Sequence, residues 1–392
     1  MTTTIATERV KAAADSPRLI GEWRALLETG VQSPSHVQHP AWFFACLEAA
    51  KNAEGLILVR RDASGVVAIW PFIVCDSRAV LRFSVVRLAQ RPVRTANAVT
   101  VEPIVRRSDD LDSVCRDFSA YLADAGCHYD FARFDALPAT SPVNVCIGMG
   151  RGWSRGLSGT VVSARAENVY QCALPGALTE FNAGLGKKRR YNLNRQVRRL
   201  SDAAESLELR RISDPGQMPS FLDDLQSVFS KTWQAGTYGN FDRRSDGERR
   251  FFSRLSEAGL LRSYILMLDS KPIAFMVGYQ DRGVLQYAEI GYDPAYAQFS
   301  PGAVLNRLMF DDLYRRDTPA IVDFGYGRNQ YKDLFSNRHI AAVNAIATVH
   351  TRWKLFFALQ RALSAVYRWL RACITALHLD KAIRRALKRP AT

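Results

Sequence analysis

A loop rich in proline and glycine joins a strand-like segment to a helix in the second half of the chain, in the sequence YAEIGYDPAYAQFSPGAVLNRLMF. A helix N-terminus presents unpaired backbone N–H groups and a partial positive charge, and both suit a phosphate. We expect Pro301 in the first helical turn, where its missing N–H costs little. Gly302 and Ala303 would let a pyrophosphate approach the backbone. Ser300, Pro301 and Gly302 could also be an ordinary helix start.

A strongly basic segment, KKRRYNLNRQVRRL, lies in mid-chain. Residues 187–199 contain seven lysine and arginine residues and no acid. Leu193, Val197 and Leu200 recur at helical spacing. The segment is therefore predicted to be a helix with one narrow apolar stripe and a basic remainder, and it either binds an anionic partner or is a solvated linker.

The C-terminal segment is basic and amphipathic. Residues 351–389 carry ten basic residues and one acid, Asp380. As a helix, the segment has an apolar side with Trp353, Phe356, Phe357, Leu363, Tyr367, Leu370 and Ile374, and a basic side with Lys354, Arg361 and Arg368. This pattern is typical of an interfacial membrane helix. The alternative is that the helix docks on the protein's own body or on a second subunit.

The remainder of the chain is nearly neutral, because these two segments account for the whole net charge of +15. A length of 392 residues predicts two domains, at about 100–200 residues each. With 47% hydrophobic and 23% charged residues, the composition is that of a globular protein and excludes wholesale disorder or a fibrous repeat. Trp153 and Trp233 are expected in a core or at a domain interface.

The seven cysteines include no C-x-x-C pair and have no neighbouring histidine cluster. A disulfide framework and a zinc site are therefore not expected, and a reducing compartment is. The start, MTTTIATERVKAAADSP, has no apolar run typical of a signal peptide, and no uncharged apolar run reaches the length of a membrane span. We expect residues 1–17 to be a loose N-terminus and the protein to be cytoplasmic.

Both halves of the chain contain predicted elements in the same order. The first half has helices over 18–29 and 40–52, strands over 56–61, 66–74, 80–88 and 98–105, a helix over 111–125 and a strand over 129–134. The second half has a helix over 219–232, strands over 261–268, 272–279 and 284–291, a helix over 302–315 and a strand over 320–324. An Asp-Phe dipeptide falls at the last strand of each half, at Asp130 and Asp323. The pattern favours two similar α/β units.

Four segments together resemble the CelD-like branch of the GNAT acyltransferases, which is related to the FemABX peptidoglycan transferases. They are WPFIV, KKRRYNLNRQVRRL, KPIAFMVGYQDRGVLQYAEIGYDPAYAQFSPGAVL and DFGYGRNQYKDLFSN. The resemblance runs from about residue 38 to about residue 337. It implies an α/β (α+β) fold with two tandem GNAT-like domains, each a mixed sheet flanked by helices. The predicted organisation is an N-terminal domain over 18–175, a basic linker helix over 176–206, an acyl-CoA-binding domain over 207–350 and a helical tail over 351–392.

The resemblance also implies which residues bind the cofactor. GNAT proteins usually carry Q/R-x-x-G-x-G/A in the pyrophosphate loop, and Gln298, Pro301 and Ala303 stand at the three defined positions here. Pro301 lacks the N–H of the usual glycine, although Ser-Pro-Gly is typical of the CelD-like branch. The predicted cofactor-binding residues are Tyr292, Gln298, Ser300, Pro301, Gly302 and Ala303.

Acyl transfer from a thioester to an amine requires a base, donors for the oxyanion and an acid for the leaving thiolate. Glu289 is the first candidate for the base, and period-2 alternation places it on the same strand face as Leu285 and Tyr287. Asp323, at the end of the next strand, is the alternative. Either carboxylate could instead have a structural role, Glu289 as a solvated strand residue and Asp323 as a cap.

Three further candidates follow Asp323 closely in the sequence. A tyrosine hydroxyl, Tyr331 first, could protonate the thiolate, while Tyr326 and Lys332 are assigned to substrate binding. Aromatic core packing is the alternative for both tyrosines. Arg189 and Arg190 of the basic helix could bind the phosphates of CoA or an anionic acceptor, or tRNA as in FemABX relatives.

Taken together, these features predict a cytoplasmic N-acyltransferase that uses acetyl-CoA or another acyl-CoA and no metal. The resemblance points to an acceptor amino group on a sugar, a nucleotide sugar or an envelope-polysaccharide precursor. A FemABX-like tRNA-dependent aminoacyltransferase and a non-catalytic scaffold subunit of a polysaccharide synthase are the alternatives. The tail could attach the protein to the inner face of the membrane. The acceptor, the acyl chain length and the oligomeric state stay open.

Overall fold

The computed structural model describes residues 4–12, 15–30, 35–84, 86–124, 129–149, 157–162, 166–238 and 241–376. Its strands are β1 (Thr4–Val10), β2 (Glu54–Asp62), β3 (Gly65–Phe83), β4 (Val86–Ala98), β5 (Ile104–Val105), β6 (Phe131–Pro138), β7 (Ser158–Val161), β8 (Glu167–Ala173), β9 (Leu207–Ile212), β10 (Ser263–Leu268), β11 (Lys271–Asp281), β12 (Val284–Tyr292), β13 (Ile321–Tyr326) and β14 (Arg338–Thr348). Its α-helices are α1 (Pro17–Thr29), α2 (Pro40–Ala49), α3 (Leu111–Ala123), α4 (Val143–Cys146), α5 (Leu178–Gly184), α6 (Lys187–Ser201), α7 (Met218–Phe229), α8 (Trp233–Tyr238), α9 (Asp246–Glu257), α10 (Pro301–Arg316), α11 (Gln330–Phe335) and α12 (Thr351–Ala376). Short 3-10 helices cover 36–38, 108–110, 215–217 and 294–299.

These strands form one mixed sheet in the order β1-β2-β3-β4-β6-β14-β8-β13-β12-β11-β10-β9, with β5 on β3 and β7 on β14. In the first half β1 to β4 are antiparallel, and β4 then pairs with β6 in parallel. In the second half β9 to β12 are antiparallel, and β12 then pairs with β13 in parallel. The repeated order confirms the prediction of two similar α/β units with mixed sheets.

The two halves exchange strands at the centre of the sheet. Strand β8 precedes the second half in sequence, yet it pairs with β13. Strand β14 follows the second half, yet it pairs with β6 of the first. These two strands also pair with each other. The sheet of the first half is therefore extended by β14, from near the C-terminal end of the chain, and that of the second half by β8, from mid-chain. The boundaries predicted from sequence do not anticipate this exchange.

Helices cover both faces of the second half. Helices α6 and α10 pack on one face, over a core that includes Tyr287 and Phe310. Helices α7 and α9 pack on the opposite face, over a core that includes Phe229 and Phe275. On that face, Trp42 of α2 lies 5.6 Å from Phe251 of α9, ring centre to ring centre. The two halves are thus joined through helices as well as through the sheet.

The long hairpin of β3 and β4 differs from the sequence prediction. The pattern predicts a single strand over 80–88, but the chain reverses near Ser84, which has a left-handed φ of 57°. Alternation alone cannot show a turn inside an apolar run that lacks glycine. The strand predicted over 98–105 is also wrong for most of its length, because Ala98 is the last residue of β4 and beyond it only Ile104 and Val105 pair with β3.

The C-terminal helix α12 docks on the first half. The Trp353 indole is buried and stacks edge-on to Phe131, at 5.8 Å. Its Nε1 donates a hydrogen bond to Asp130, 2.8 Å away. Phe357 also packs on Phe131, at 5.2 Å. The alternative that the aromatic side of this helix docks on the body is therefore confirmed, while residues 377–392 lie outside the described part. In the described ranges, no helix combines the length and the hydropathy that a bilayer crossing requires.

Candidate active site

Strands β12 and β13 separate shortly after they begin. Their parallel pairing covers only residues 284–286 and 321–323. Beyond it, β12 stays on β11 as far as Tyr292, while β13 pairs with β8 on its other side. A gap therefore opens between the carboxyl ends of two neighbouring parallel strands, which is where ligands bind in open α/β sheets.

A β-bulge in β12 decides which way the side chains point at this gap. Tyr287 pairs with Gly278 and Glu289 pairs with Val277, so Ala288 is an extra residue without a partner on β11. The extra residue reverses the alternation. Tyr287 packs in the core under α6 and α10, whereas Glu289 faces α7 and α9 with Val277. The prediction that Glu289 shares a face with Leu285 and Tyr287 was wrong, because it assumed an unbroken strand.

A cleft of about 530 Å³ lies beside the gap, on the α10 side. Five of the predicted site residues line it: Tyr292, Ser300, Gly302, Ala303 and Tyr331. Gln298 and Pro301 are not among its lining residues. Gln298 is exposed on the 3-10 helix, and Pro301 is buried at the first position of α10.

The start of α10 has the geometry expected for a phosphate-binding helix end. Ser300 adopts the left-handed conformation (φ 54°, ψ 54°), and Pro301 occupies the first helical position. The amide of Gly302, at the second position, belongs to the N–H groups that have no partner within the helix. A Cβ on Gly302 would lie 3.4 Å from Ile290 and 4.0 Å from Tyr292. A longer side chain at residue 302 would therefore project towards the cleft.

The basic helix α6 borders a second cleft, of about 540 Å³, that adjoins the first. The two clefts share Ser300, Ala303, Gln330, Tyr331 and Leu334. Arg189 lines the second cleft, but Arg190 does not, because its guanidinium donates to the carbonyl of Asn182 at 3.2 Å. Arg189 and Arg190 are adjacent in the sequence and were assigned the same role, but only Arg189 lines the cleft.

Tyr331 lies between the two clefts and stacks on aromatic side chains. Its ring centre is 5.4 Å from that of Tyr287 and 6.0 Å from that of Phe324. Burial raises the pKa of Tyr331 to about 12, so the hydroxyl keeps its proton at neutral pH. The buried Tyr287 hydroxyl donates to Asn306 Oδ1 at 2.8 Å, which leaves Tyr331 as the tyrosine of this pair that reaches the cleft.

Glu289 forms an ion pair with Arg243. Arg243 Nη2 donates to both carboxylate oxygens, at 2.8 and 2.7 Å. The guanidinium is buried between the rings of Phe229 and Phe241, at 4.3 and 4.4 Å from their centres. Burial raises the pKa of Glu289, although Arg243 opposes the shift. Glu289 is therefore a half-buried carboxylate held in one orientation.

Asp323 lies on the same face of the sheet as Glu289, opposite its neighbour Phe324, which is in the α10-side core. It accepts hydrogen bonds from Gln171 Nε2 (2.8 Å) and from the Gly325 amide (2.7 Å). Burial raises the pKa of Asp323 despite these bonds. We call this face, with Glu289, Asp323 and Gln171, the acceptor-side face.

Lys332 and Tyr326 have surroundings that the sequence does not reveal. The buried Lys332 ammonium donates to the carbonyls of Gly325 and Tyr326, at 3.3 and 2.9 Å, and burial lowers its pKa. Lys332 therefore fixes the end of β13 through backbone contacts. The Tyr326 hydroxyl is buried and has no hydrogen-bond partner among the described residues. Neither residue lines the two clefts.

Some residues at the site were missed in the sequence. Arg243 belongs to no motif that the sequence analysis identified. Its contact with Glu289 depends on the tertiary fold. Trp233 was expected in a core or at a domain interface, but it is 64% exposed and lines the first cleft. Trp153 lies outside the described residues. Gln234 Nε2 donates to the Ile290 carbonyl at 2.6 Å. The sequence signal for this region was the polar, glycine-containing stretch after α7, which has no regular periodicity.

No group of three or more histidine, cysteine, aspartate or glutamate side chains that could hold a metal occurs in the described part of the chain.

The cleft beside β12 suits the phosphates and the extended arm of an acyl-CoA. It combines a helix N-terminus, the nearby cation of Arg189 and an open strand edge. A helix N-terminus and a nearby cation both favour a bound phosphate.

Comparisons with known proteins agree with this geometry. Residues 187–333 match the family model described as "Acetyltransferase (GNAT) domain", while no curated protein matches the sequence significantly. FemX has a similar structure, with a TM-score of 0.57, 9% identity and coverage of 87% of this chain and 98% of FemX. The C-terminal DUF2156 domain of a candidate lysylphosphatidylglycerol synthetase from Agrobacterium fabrum is also similar, with a TM-score of 0.52 and 12% identity. That match covers 90% of this chain and 96% of the domain.

A conserved protein of unknown function from Bacteroides thetaiotaomicron also shares the fold, with a TM-score of 0.51 and 13% identity over 84% of this chain and 97% of that one. At these identities the likeness is one of fold. The family match and the site geometry coincide, because residues 187–333 include both α6 and the start of α10. Residues 187–333 therefore match the GNAT acetyltransferase domain, and the chain as a whole has a fold similar to that of FemX.

Proposed function

We propose that the protein is an acyl-CoA-dependent N-acyltransferase, with acetyl-CoA as the first candidate donor. The observation that carries the proposal is the cleft at the diverging ends of β12 and β13, closed on one side by the N-terminus of α10. The pyrophosphate would bind Ser300, Gly302 and Ala303, with Arg189 contributing positive charge. Tyr292 would line the path of the acyl-CoA arm along β12.

The acceptor amine would approach from the acceptor-side face. Glu289 is the proposed base, directly or through a water, with Asp323 as the alternative. The deprotonated amine attacks the thioester carbonyl carbon, a C–N bond forms, the C–S bond breaks, and the nitrogen releases its second proton to solvent. The Ala288 amide at the bulge is a candidate donor to the oxyanion. Tyr331 would give its proton to the leaving sulfur and regain one from solvent.

Support for a hydroxyl-rich acceptor comes from polar side chains on the acceptor-side face. Cross-strand pairing aligns Gln286, Asp323, Gln171 and Arg338 across four neighbouring strands. Gln171 Oε1 is buried and has no hydrogen-bond partner in the described ranges. Amide groups of this kind suit the hydroxyls of a sugar. We propose an amino sugar, a nucleotide sugar or an envelope-polysaccharide precursor, acylated in the cytoplasm.

A second candidate is transfer of an aminoacyl group from tRNA. Its support is the fold shared with FemX and the exposed cations of α6, which are Lys187, Lys188, Arg189, Arg195, Arg198 and Arg199. Seven basic residues without an acid give a field that attracts nucleic acid as well as CoA phosphates. A scaffold that binds neither ligand is the third candidate.

Isothermal titration calorimetry of the full chain with acetyl-CoA, longer acyl-CoAs and tRNA distinguishes the three. We expect acyl-CoA to bind and tRNA not to bind. Gly302→Asp should weaken acyl-CoA binding by about ten-fold or more, because it places a negative charge beside the pyrophosphate. Aspartate near a helix N-terminus is favourable for the helix, so we expect this variant to fold.

Gly176→Asp is the matched control, since Gly176 is exposed and a Cβ added there would meet no other part of the protein within 4 Å. Undiminished acyl-CoA affinity in folded Gly302→Asp would remove the α10 N-terminus from the site. Binding of tRNA without acyl-CoA would favour the second candidate, and binding of neither ligand would favour the scaffold.

A further inference from the structure

Exposed apolar side chains concentrate at one place on the surface of the first half. Of the twelve large hydrophobic residues that are exposed in the described ranges, seven lie on α12 or at the tip of the β3–β4 hairpin. They are Leu355, Leu359, Val366, Trp369, Leu370, Val86 and Leu88. We call these seven residues the tail surface. A contiguous apolar patch on a soluble protein marks a site of interaction.

The hairpin tip and α12 are held side by side. The Phe83 ring lies 5.8 Å from the Tyr367 ring. The backbone of Arg82 exchanges two hydrogen bonds with the Gln360 side chain, at 2.7 and 3.2 Å. Val86 is the cross-strand partner of Phe83, so the exposed part of the tip adjoins the helix.

Apart from Leu370, the large apolar residues of α12 that stay exposed differ from those predicted to meet a membrane. Trp353 and Phe357 pack against Phe131, and Phe356 packs against both of them. By contrast, Trp369 is 65% exposed. A helix with 3.6 residues per turn has room for both a docked face and an exposed apolar face. The exposed apolar face is therefore available to bind a partner other than the protein's own body.

Charge identifies the kind of occupant. Helix α12, residues 351–376, contains five basic residues and no acid. The hairpin over residues 77–94 also contains five arginines and no acid. The cations are Arg352, Lys354, Arg361, Arg368 and Arg371 on the helix, and Arg78, Arg82, Arg87, Arg91 and Arg94 on the hairpin. The exposed apolar side chains lie on two positively charged segments. A partner with an apolar layer and negatively charged polar groups would complement both features.

Some of these cations have partners within the protein. Arg352 forms an ion pair with Asp130, and Arg94 forms one with Asp76. Both arginines lie towards the body, at the start of α12 and at the end of the hairpin. The contact with an anionic partner is therefore assigned first to the exposed arginines nearer the hairpin tip, Arg87 and Arg91.

We propose that the tail surface binds the surface of an anionic lipid bilayer. Leu359, Val366 and Trp369 would enter the boundary between headgroups and acyl chains. The surrounding arginines would contact lipid phosphates, each contributing attraction that salt screens. The β3–β4 hairpin takes part in this interface, so membrane binding belongs to the folded first half as well as to the tail.

A second copy of the chain is the competing occupant. Leu355, Leu359, Val366 and Trp369 recur at intervals that also suit a coiled coil. Pairing two α12 helices would, however, bring ten cations together with no acid on either helix to compensate them, and like charges across such an interface repel. The charge pattern therefore favours lipid over self-association.

The test is flotation of the full-length protein with vesicles of phosphatidylcholine alone and of phosphatidylcholine mixed with phosphatidylglycerol. We expect binding to the mixed vesicles at low salt, loss of binding at high salt and little binding to phosphatidylcholine alone. Trp369 fluorescence should shift to shorter wavelength on binding, and the shift should be absent in Trp369→Phe.

Two pairs of substitutions test the two parts of the tail surface. Val366→Ser with Trp369→Ser removes exposed apolar groups, and Val145→Ser, at another exposed valine, is the control. Arg87→Gln with Arg91→Gln should weaken binding by about ten- to thirty-fold, at about 1 kcal/mol per basic residue. Lys271→Gln with Arg250→Gln is the control of equal charge.

Thermal unfolding should show that all these variants fold, because every substituted side chain lies at the surface. Absence of flotation at low salt would overturn the proposal, as would equal loss in the controls. Equal binding to both vesicle types would also contradict it, because charge would then have no role. A concentration-dependent dimer in analytical ultracentrifugation that Val366→Ser with Trp369→Ser abolishes would assign the surface to a second copy.

Discussion

Two carboxylates compete for the role of base at the scale of single residues. Glu289 and Asp323 share the acceptor-side face, and burial raises the pKa of both. Their partners differ, since Glu289 is paired with the cation of Arg243, while Asp323 accepts from the neutral amide of Gln171. A base must be deprotonated in the free enzyme, and the acid limb of kcat/KM reports its pKa.

We predict that Glu289→Gln lowers kcat by about 10²- to 10⁴-fold, the usual contribution of a positioned base. The substitution keeps an oxygen that can accept from Arg243. In the parent protein the rate should fall as pH drops through the raised pKa of Glu289, because protonation removes the base. The pH–rate profile of the variant should lack this limb, and calorimetry should show unchanged acyl-CoA affinity.

Asp323→Asn is the parallel variant, measured in the same buffers. An acid limb that persists in Glu289→Gln and disappears in Asp323→Asn would transfer the role to Asp323. A limb that persists in both variants would exclude both carboxylates as the base. Since each variant retains the shape of the side chain, a change in the pH profile reports on ionisation rather than on folding.

Helix α12 shows at the scale of an element how one sequence pattern serves two surfaces. Trp353 is 6% exposed and Trp369 is 65% exposed, although both lie on the same helix. The first stacks on Phe131 and donates to Asp130. Docking of the helix therefore depends on its first turns, and the exposed apolar residues are concentrated further along.

Trp353→Ala should accordingly lower the free energy of unfolding by about 3–5 kcal/mol, the usual cost of removing a large buried aromatic group. It should also speed amide hydrogen exchange along α12. Trp369→Ala, the matched variant on the same helix, should change stability by less than about 0.5 kcal/mol, as surface substitutions do. Urea denaturation measures both effects, and equal losses in the two variants would show that α12 docks in another way.

The exchange of β8 and β14 makes the two halves interdependent at the scale of the whole molecule. Without β8, one edge of β13 would have no strand partner. Without β14, one edge of β6 would have no strand partner. Unpaired strand edges lose hydrogen bonds and promote aggregation. The halves therefore behave as one folding unit despite their similar topology.

We predict that fragments 1–186 and 187–392 are each insoluble or unfolded when expressed alone, and that they form a soluble complex when expressed together. The break between residues 186 and 187 precedes α6, so it keeps every described strand intact and leaves β8 and β14 on different fragments. Gel filtration and circular dichroism provide the measurement. A monomeric, cooperatively unfolding 187–392 fragment would contradict the interdependence.

Local patterns in the sequence determined most of the elements of this protein. Helical spacing predicted α1, α6 and α10 close to their observed bounds, and proline and glycine chemistry predicted the loop at Ser300. Repetition of elements predicted two similar α/β units. These features depend on residues that are close together in the sequence. The spacing of apolar residues and the positions of turn-forming residues are therefore enough to predict them.

Only the tertiary structure decided which side chains meet. The bulge at Ala288 turned Glu289 to the face opposite Tyr287, because one extra residue reverses a period-2 alternation. Arg243 reached Glu289 from 46 residues away, Arg189 and Arg190 went to different surroundings, and α12 divided its apolar residues between the body and the exterior. Each outcome depends on strand register or on packing between distant segments, and neither quantity is encoded in the spacing of neighbouring residues.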